Sequence, residues 1–262
     1  MQPDRLSPLH HFAPIIRSLS SAELAGSASL YEKLRIARSG PLEVCYAPFE
    51  YINPAARLVV VGITPGRVQM LNALRELRRQ LDAGASEAVA LRAAKLTGAF
   101  SGPIRPNLVA LLDAIGMQGW LGIKGCTELF GACSDLVQTA SVLRNPVFFN
   151  GQNYSGAPSM VRDKLLQAEL IEGFGQDARQ LPDAVYLPLG EKVAQALFFL
   201  AERGLVRRER ILDGLPHPSG ANAERIAYFL GKKPRAELSA KTSAEKIDRL
   251  KREILHKVQQ LS

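Results

Sequence analysis

Apolar residues recur along this chain at two different spacings, and the alternation between them predicts an α/β fold. Residues 57–62, RLVVVG, carry a β-branched run, as expected for a central parallel strand. The stretch that follows, VQMLNALRELRRQLDAG (68–84), changes period: Val68, Leu71, Leu74, Leu77 and Leu81 fall at helical spacing. Gly84 predicts its stop, and Ser86 the cap of a second helix running to about residue 97. Further on, LVALLDAIGM (108–117) reads as a helix and TELFGACSDL (127–136) as a second strand. DAVYLPLG (183–190) is a third strand with EKVAQALFFLAERG (191–204) as its helix; RILDGLPHP (210–218) is a fourth, and ANAERIAYFLG (221–231) a helix again. Strands alternating with helices predict a three-layer α/β/α arrangement with a central, mostly parallel four-stranded sheet.

The flanks are less regular. Residues 1–40 read as an N-terminal helical region, with SAELAGSASLYEKLRIARSG (21–40) at helical spacing and Gly40-Pro41 as its stop. LEVCYAPFEYIN (42–53) is partly extended, GAFSGPIRPN (98–107) is a loop, and 144–160 is a loop rich in Asn and Gly. Thr242-Ser243-Ala244-Glu245 is a capping-box pattern. It opens a tail helix with Ile247, Leu250, Ile254, Val258 and Leu261 on one face. The expected organisation is a helical region at 1–40, one α/β domain at 41–231, and a basic C-terminal helix at 232–262 as an appendage.

Composition narrows the class. With 47% apolar and 22% charged residues the chain is globular, not fibrous or disordered. No apolar run approaches the roughly 18 residues of a membrane helix, and MQPDRLSPLHHF lacks the pattern of a signal peptide. These features predict a cytoplasmic protein with no membrane partner. Cys45, Cys126 and Cys133 lack a CxxC spacing or a histidine cluster, so we expect free thiols and no metal or iron–sulfur site. The net charge of +8 is consistent with a polyanionic partner. It is concentrated in Arg75, Arg78 and Arg79, in Arg203, Arg207, Arg208 and Arg210, and in Lys232, Lys233, Arg235, Lys241, Lys246, Arg249, Lys251, Arg252 and Lys257. For the tail helix, a solvated face and DNA contact are the alternatives.

Two short loops carry the candidate chemistry. In an open parallel sheet, ligands bind outside the carboxyl ends of the strands. GITPG (62–66) follows the first strand and offers backbone amides, the Thr64 hydroxyl and a stiff Pro65. LPHPSG (215–220) follows the fourth and offers the imidazole of His217 between Pro216 and Pro218. Its Pro-Ser-Gly leads into a helix start, which favours anionic groups. Either loop alone is commonly only a turn or a structural histidine; the pair, each at a strand end and each stiffened by proline, is more specific. A nucleotide- or sugar-phosphate enzyme is a third class, but the chain lacks GxGxxG and GxxxxGK[ST].

GITPG and HPSGAN, in this order, resemble the two signature motifs of the uracil-DNA glycosylase superfamily. CYAPFEYINPAARLVVVGITPG (45–66) is similar to the lead-in of its single-strand-selective monofunctional members, GAFSGP (98–103) to the pocket loop with its phenylalanine, and CSDLVQ (133–138) to the segment that usually bears an asparagine. The resemblance spans about residues 43–231. It implies a glycosylase that acts on uracil or another damaged base flipped from DNA, without metal or cofactor and as a monomer. Phe100 would stack on the base and His217 would hydrogen-bond it as it leaves. Gly62, Ile63, Thr64, Pro65 and Gly66 would place the attacking water. Pro218, Ser219, Gly220, Ala221 and Asn222 would contact DNA. Asn150, Asn153 and Tyr154 lie in a long loop of a kind that either lines a pocket or is solvated, and Tyr46 and Phe49 would wall the pocket or pack in the core. Two positions depart from the pattern. Thr64 stands where Asp or Asn is usual, and a hydroxyl is no general base near neutral pH. Asp135, or Ser134 in the adjacent register, matches the asparagine that reads the base. An aspartate there would favour a base with an exocyclic amine or would orient the water, unless it only caps a turn or pairs with an arginine. Thr64 also keeps open a binding protein of the same fold that has lost hydrolysis.

Overall fold

The computed structural model describes residues 8–98 and 104–261. Its helices are Pro8–Ser18 (α1), Ala28–Lys33 (α2), Arg67–Asp82 (α3), Glu87–Gly98 (α4), Ile104–Ala114 (α5), Met117–Leu121 (α6), Lys164–Glu169 (α7), Gly175–Ala178 (α8), Glu191–Ala201 (α9), Ala223–Phe229 (α10) and Ala244–Gln259 (α11). Its strands are Arg35–Ser39 (β1), Leu42–Cys45 (β2), Leu58–Gly62 (β3), Val137–Ser141 (β4), Val147–Phe149 (β5), Gln152–Asn153 (β6) and Val185–Pro188 (β7). The fold is mixed α/β. It divides into two compact units, each assembled from separated stretches and not from the consecutive segments expected. Among the described residues no helix is long and apolar enough to cross a membrane.

The first unit holds 8–52, 64–98 and 143–174. Its sheet is antiparallel, in the order β1-β2-β5-β6. This corrects two expectations: residues 35–39 are strand and not helix, and the loop at 144–160 contains a hairpin. Phe149 pairs with Gln152, so the turn is Asn150-Gly151, with φ of 50° and 69°. Positive φ at both central residues is what a type I′ turn requires, and Asn-Gly is its usual sequence. The core lies where α3 presents Met70, Leu71, Ala73, Leu74, Leu77 and Leu81 to Leu9, Phe12 and Ile16 of α1 and Ala90 and Ala94 of α4. Each fully buried Leu contributes about 1.5–3 kcal/mol. Val68, expected on that face, is 69% exposed. Tyr46 stacks on Phe12 at 4.2 Å, and Phe49 belongs to the same cluster, so both are core residues.

The second unit holds 53–63, 104–142 and 175–261. Its sheet is parallel but three-stranded, in the order β4-β3-β7. The expected fourth strand is reduced to one parallel bridge, Ile211 to Tyr186, continued by the Leu212 amide donating to the Tyr186 carbonyl (2.9 Å). The chain then leaves the sheet because Gly214 takes φ +124° and Pro216 and Pro218 have no N–H to offer. The second strand is also displaced. Residues 126–130 and 134–136 are 3₁₀ turns that plug Leu129 into the core, and the strand is 137–141. Its polar Gln138 is buried and accepts from the Asn53 amide (3.1 Å), which hid the strand from an apolar pattern. The tail helix α11 is no appendage: Ile247, Ile254 and Val258 are part of this unit's core. Ser243 caps it, accepting from the Lys246 amide (3.2 Å), as the capping-box pattern predicts.

Candidate functional site

Parallel strands end on a common edge, and in the second unit this edge carries His217. β3 closes at Gly62, whose carbonyl accepts from the Val142 amide (2.9 Å); beside it, the Leu189 amide after β7 donates to the Val61 carbonyl (2.8 Å). Gly190 then opens α9 with φ +95°. His217 lies against it: a Cβ at 190 would be 3.7 Å from His217 Cβ and 3.9 Å from Cδ2. The loop is fixed from several sides. Asn107 Nδ2 donates to the Pro218 carbonyl (2.9 Å), Asn222 Nδ2 donates to Ser219 Oγ (3.2 Å), and the Ser219 amide donates to His217 Nδ1 (3.2 Å). A backbone N–H can only donate, so Nδ1 is an acceptor and the neutral ring carries its proton on Nε2. Burial pushes the His217 pKa below its ordinary 6.5, which favours the same neutral form. Gly220 and Ala221, just beyond, are exposed, and Asn222 Oδ1 accepts from Arg225 (2.9 Å).

In the first unit, Thr64 is a clamp. Its hydroxyl donates to the Asn145 carbonyl (3.0 Å) and accepts from the Val147 amide (3.0 Å). The proton is therefore committed, and the water-holding role expected of it is left to a remaining lone pair. Pro65 is buried beside it, and the Gly66 amide donates to Gln69 Oε1 (2.8 Å) at the start of α3. Asn153, expected in a pocket, instead caps this helix from outside: its Oδ1 accepts from the Arg67 amide (3.0 Å). Asn145 is buried, and its Nδ2 reaches Glu169 Oε2 at 3.4 Å. Burial raises the Glu169 pKa, with Asn145 and Arg144 pulling partly the other way. A carboxyl raised on folding favours the protonated form, so folding loses stability as pH rises through its folded-state pKa. Glu169→Gln is therefore expected to unfold at a higher temperature than wild type at about pH 8 and at the same temperature at about pH 4. Thermal melts at the two pH values check this.

Several expected residues are not brought to the carboxyl edge. Asp135 and Ser134 precede β4 and so lie at its amino end, and β4 runs parallel to β3 with Val137 beside Leu58 and Ser141 beside Gly62. The length of β4 puts about 13 Å between those ends. Both residues are exposed, and the Asp135 carbonyl accepts from Asn53 Nδ2 (2.8 Å). Neither reads a base at the edge that holds His217. A strand at 127–136 would end where Asp135 stands, whereas β4 begins just after it. Asp135→Asn is accordingly expected to leave unchanged any base release measured on a panel of damaged oligonucleotides. Phe100 lies outside the described residues. Gly190, Asn107, Asn145 and Glu169 had no local pattern to announce them; only the Gly that ends the PLG strand gave a hint.

Several of the clustered basic residues form internal ion pairs, which leave the net charge of +8 unchanged. Lys246 pairs with Glu191 (2.8 Å), Lys257 with Asp213 (2.5 Å), Lys233 with Glu224 (2.9 Å) and Arg207 with Asp183 (3.0 Å), while Arg235 pairs with Glu245. The three cysteines are free thiols; burial pushes Cys45 up to about 12 and Cys126 higher still, leaving them unreactive. Among the described residues no group of three or more His, Cys, Asp or Glu is arranged to hold a metal ion.

No family model matches the chain, and no solved structure matches it. It is 32% identical over 246 residues to the uncharacterized protein YoxB of Bacillus subtilis (strain 168), a match covering 92% of this chain and 95% of that protein. At that identity over nearly the whole of both chains, this chain belongs to the YoxB family.

Proposed function

We propose that this chain is a monofunctional DNA base glycosylase of the uracil-DNA glycosylase type, hydrolysing the N-glycosidic bond of uracil or another deaminated or damaged base flipped out of DNA. The observation that carries the reading is His217. A neutral imidazole stands at the carboxyl edge of a parallel sheet with Nδ1 occupied by the Ser219 amide, so Nε2–H is a donor for a base that departs with negative charge. As the C1′–N bond breaks, its electron pair leaves with the base. The oxygen of water bonds to C1′, and the proton released from water ends on the base. The order of the motifs GITPG and HPSGAN and the net charge of +8 support the same reading. In it, the three-stranded parallel sheet with its bridge at Ile211 is a trimmed form of the expected four-stranded, three-layer fold. Exposed Gly220 and Ala221 suit contact with DNA.

A second reading is a DNA- or nucleotide-binding protein of the same type without hydrolysis. The observation favouring it is Thr64, which offers no carboxylate and has spent its proton on Asn145. Oligonucleotides bearing uracil, hypoxanthine, xanthine or an alkylated purine, incubated with the protein and treated with alkali, separate the two. Strand cleavage at the damaged position is the expected result. Salt-sensitive binding without cleavage supports the second reading, and neither cleavage nor binding overturns both.

A further inference from the structure

We propose that α11 is a strut that positions His217. Lys246 and Lys257 lie three turns apart on this helix, about 16 Å along its axis, and each reaches a segment that borders the imidazole. Lys246 Nζ meets Glu191 Oε2 at 2.8 Å, and Glu191 directly follows Gly190, the residue on which the ring rests. Lys257 Nζ meets Asp213 Oδ1 at 2.5 Å, four residues before His217. Between these points the chain passes under the helix at Gly214. A Cβ there would lie 3.1 Å from the Leu250 carbonyl oxygen and 3.6 Å from Ile254 Cβ, and φ is +124°. Only glycine fits so close an approach in that conformation. The far side of the loop is held too: Lys251 Nζ donates to the Phe229 carbonyl (2.6 Å) and Tyr228 Oη donates to Asp248 Oδ2 (3.0 Å), both from α10.

The division of labour follows from burial. Ile247, Ile254 and Val258 seat the helix in the core, whereas the two lysine pairs are half-exposed and add little to stability. What the pairs do is fix register: a helix slid by one turn loses both and moves Gly214 off its groove. The strut holds whatever His217 acts on, while its catalytic consequence rests on the glycosylase reading.

The experiment follows the His217 ring by NMR titration in the full chain, for wild type, Lys246→Met/Lys257→Met and the milder Asp213→Asn, with a charge swap, Lys257→Glu/Asp213→Lys, as rescue. The double variant is expected to keep its melting temperature within a few degrees and to raise the His217 pKa by at least about 0.3 unit as water reaches the ring. Asp213→Asn shifts it in the same direction and the swap returns it. If abasic-site formation occurs, kcat falls about fivefold with KM unchanged. An unshifted ring titration in a folded double variant overturns the strut, as does a swap that fails to restore it; if the double variant does not fold, an unshifted Asp213→Asn does the same. Wild type that makes no abasic sites refutes the glycosylase reading alone, because the titration still judges the strut.

Discussion

His217→Ala is expected to slow abasic-site formation by about 100- to 1000-fold under single-turnover conditions, with little change in substrate affinity. The figure follows from the cost of removing one donor from developing negative charge, about 2.7–4 kcal/mol. The ring is suited to this: Ser219 N–H at 3.2 Å keeps Nδ1 unprotonated, so the one proton of the neutral ring is on Nε2. His217→Gln, which still offers a side-chain N–H, should recover part of the rate. Protonation would set a second N–H against the Ser219 amide, so the rate should be flat through neutral pH and fall below the lowered pKa. The stability sign is that of a depressed histidine. The unfolded chain binds the proton more readily, so stability is full above the ordinary 6.5 and declines as pH falls through it. His217→Ala should remove that decline. A variant rate within a few-fold of wild type shows that the imidazole is not the donor.

The parts legible in the sequence were those with strong local signals. β3 is a run of apolar β-formers, α3 and α4 carry Gly84 and Ser86 at their junction, and α11 opens on its serine cap. The histidine loop is marked in the sequence by Pro216 and Pro218 on either side of His217. The displaced strand is the instructive failure. VQTAS has one fully apolar residue at its start, and its buried Gln138 is satisfied by Asn53, eighty-five residues away in sequence. No window of the sequence contains that bond, while TELF nearby satisfied the strand pattern with residues that serve a turn. The hairpin at 147–153 carries its own signal, since Asn150-Gly151 between short strands is a turn sequence. The clamp at Thr64 was not legible, because its partners at 145 and 147 come from another segment of the chain.

Thr64→Val should lower the melting temperature by roughly 5–10 °C, whereas Thr64→Ser should be close to wild type. Valine keeps the shape but removes the hydroxyl, leaving the Asn145 carbonyl and the Val147 amide without their partner. Two such losses in a half-buried site cost about 2–3 kcal/mol, which for a chain of this size is a shift of that order. The same geometry disfavours an acidic residue at this position. An aspartate at 64 would accept from Val147 but would turn a second oxygen toward the Asn145 carbonyl, with no hydrogen between them. Thr64→Asp is therefore expected to destabilise the fold and, under the glycosylase reading, to bring no gain in base release. The hydroxyl is the group that can donate to one backbone partner and accept from the other at once, and β5, whose first residue is Val147, starts from it. A Thr64→Val variant as stable as wild type would show that the two bonds carry no weight, and an active Thr64→Asp would return the position to catalysis.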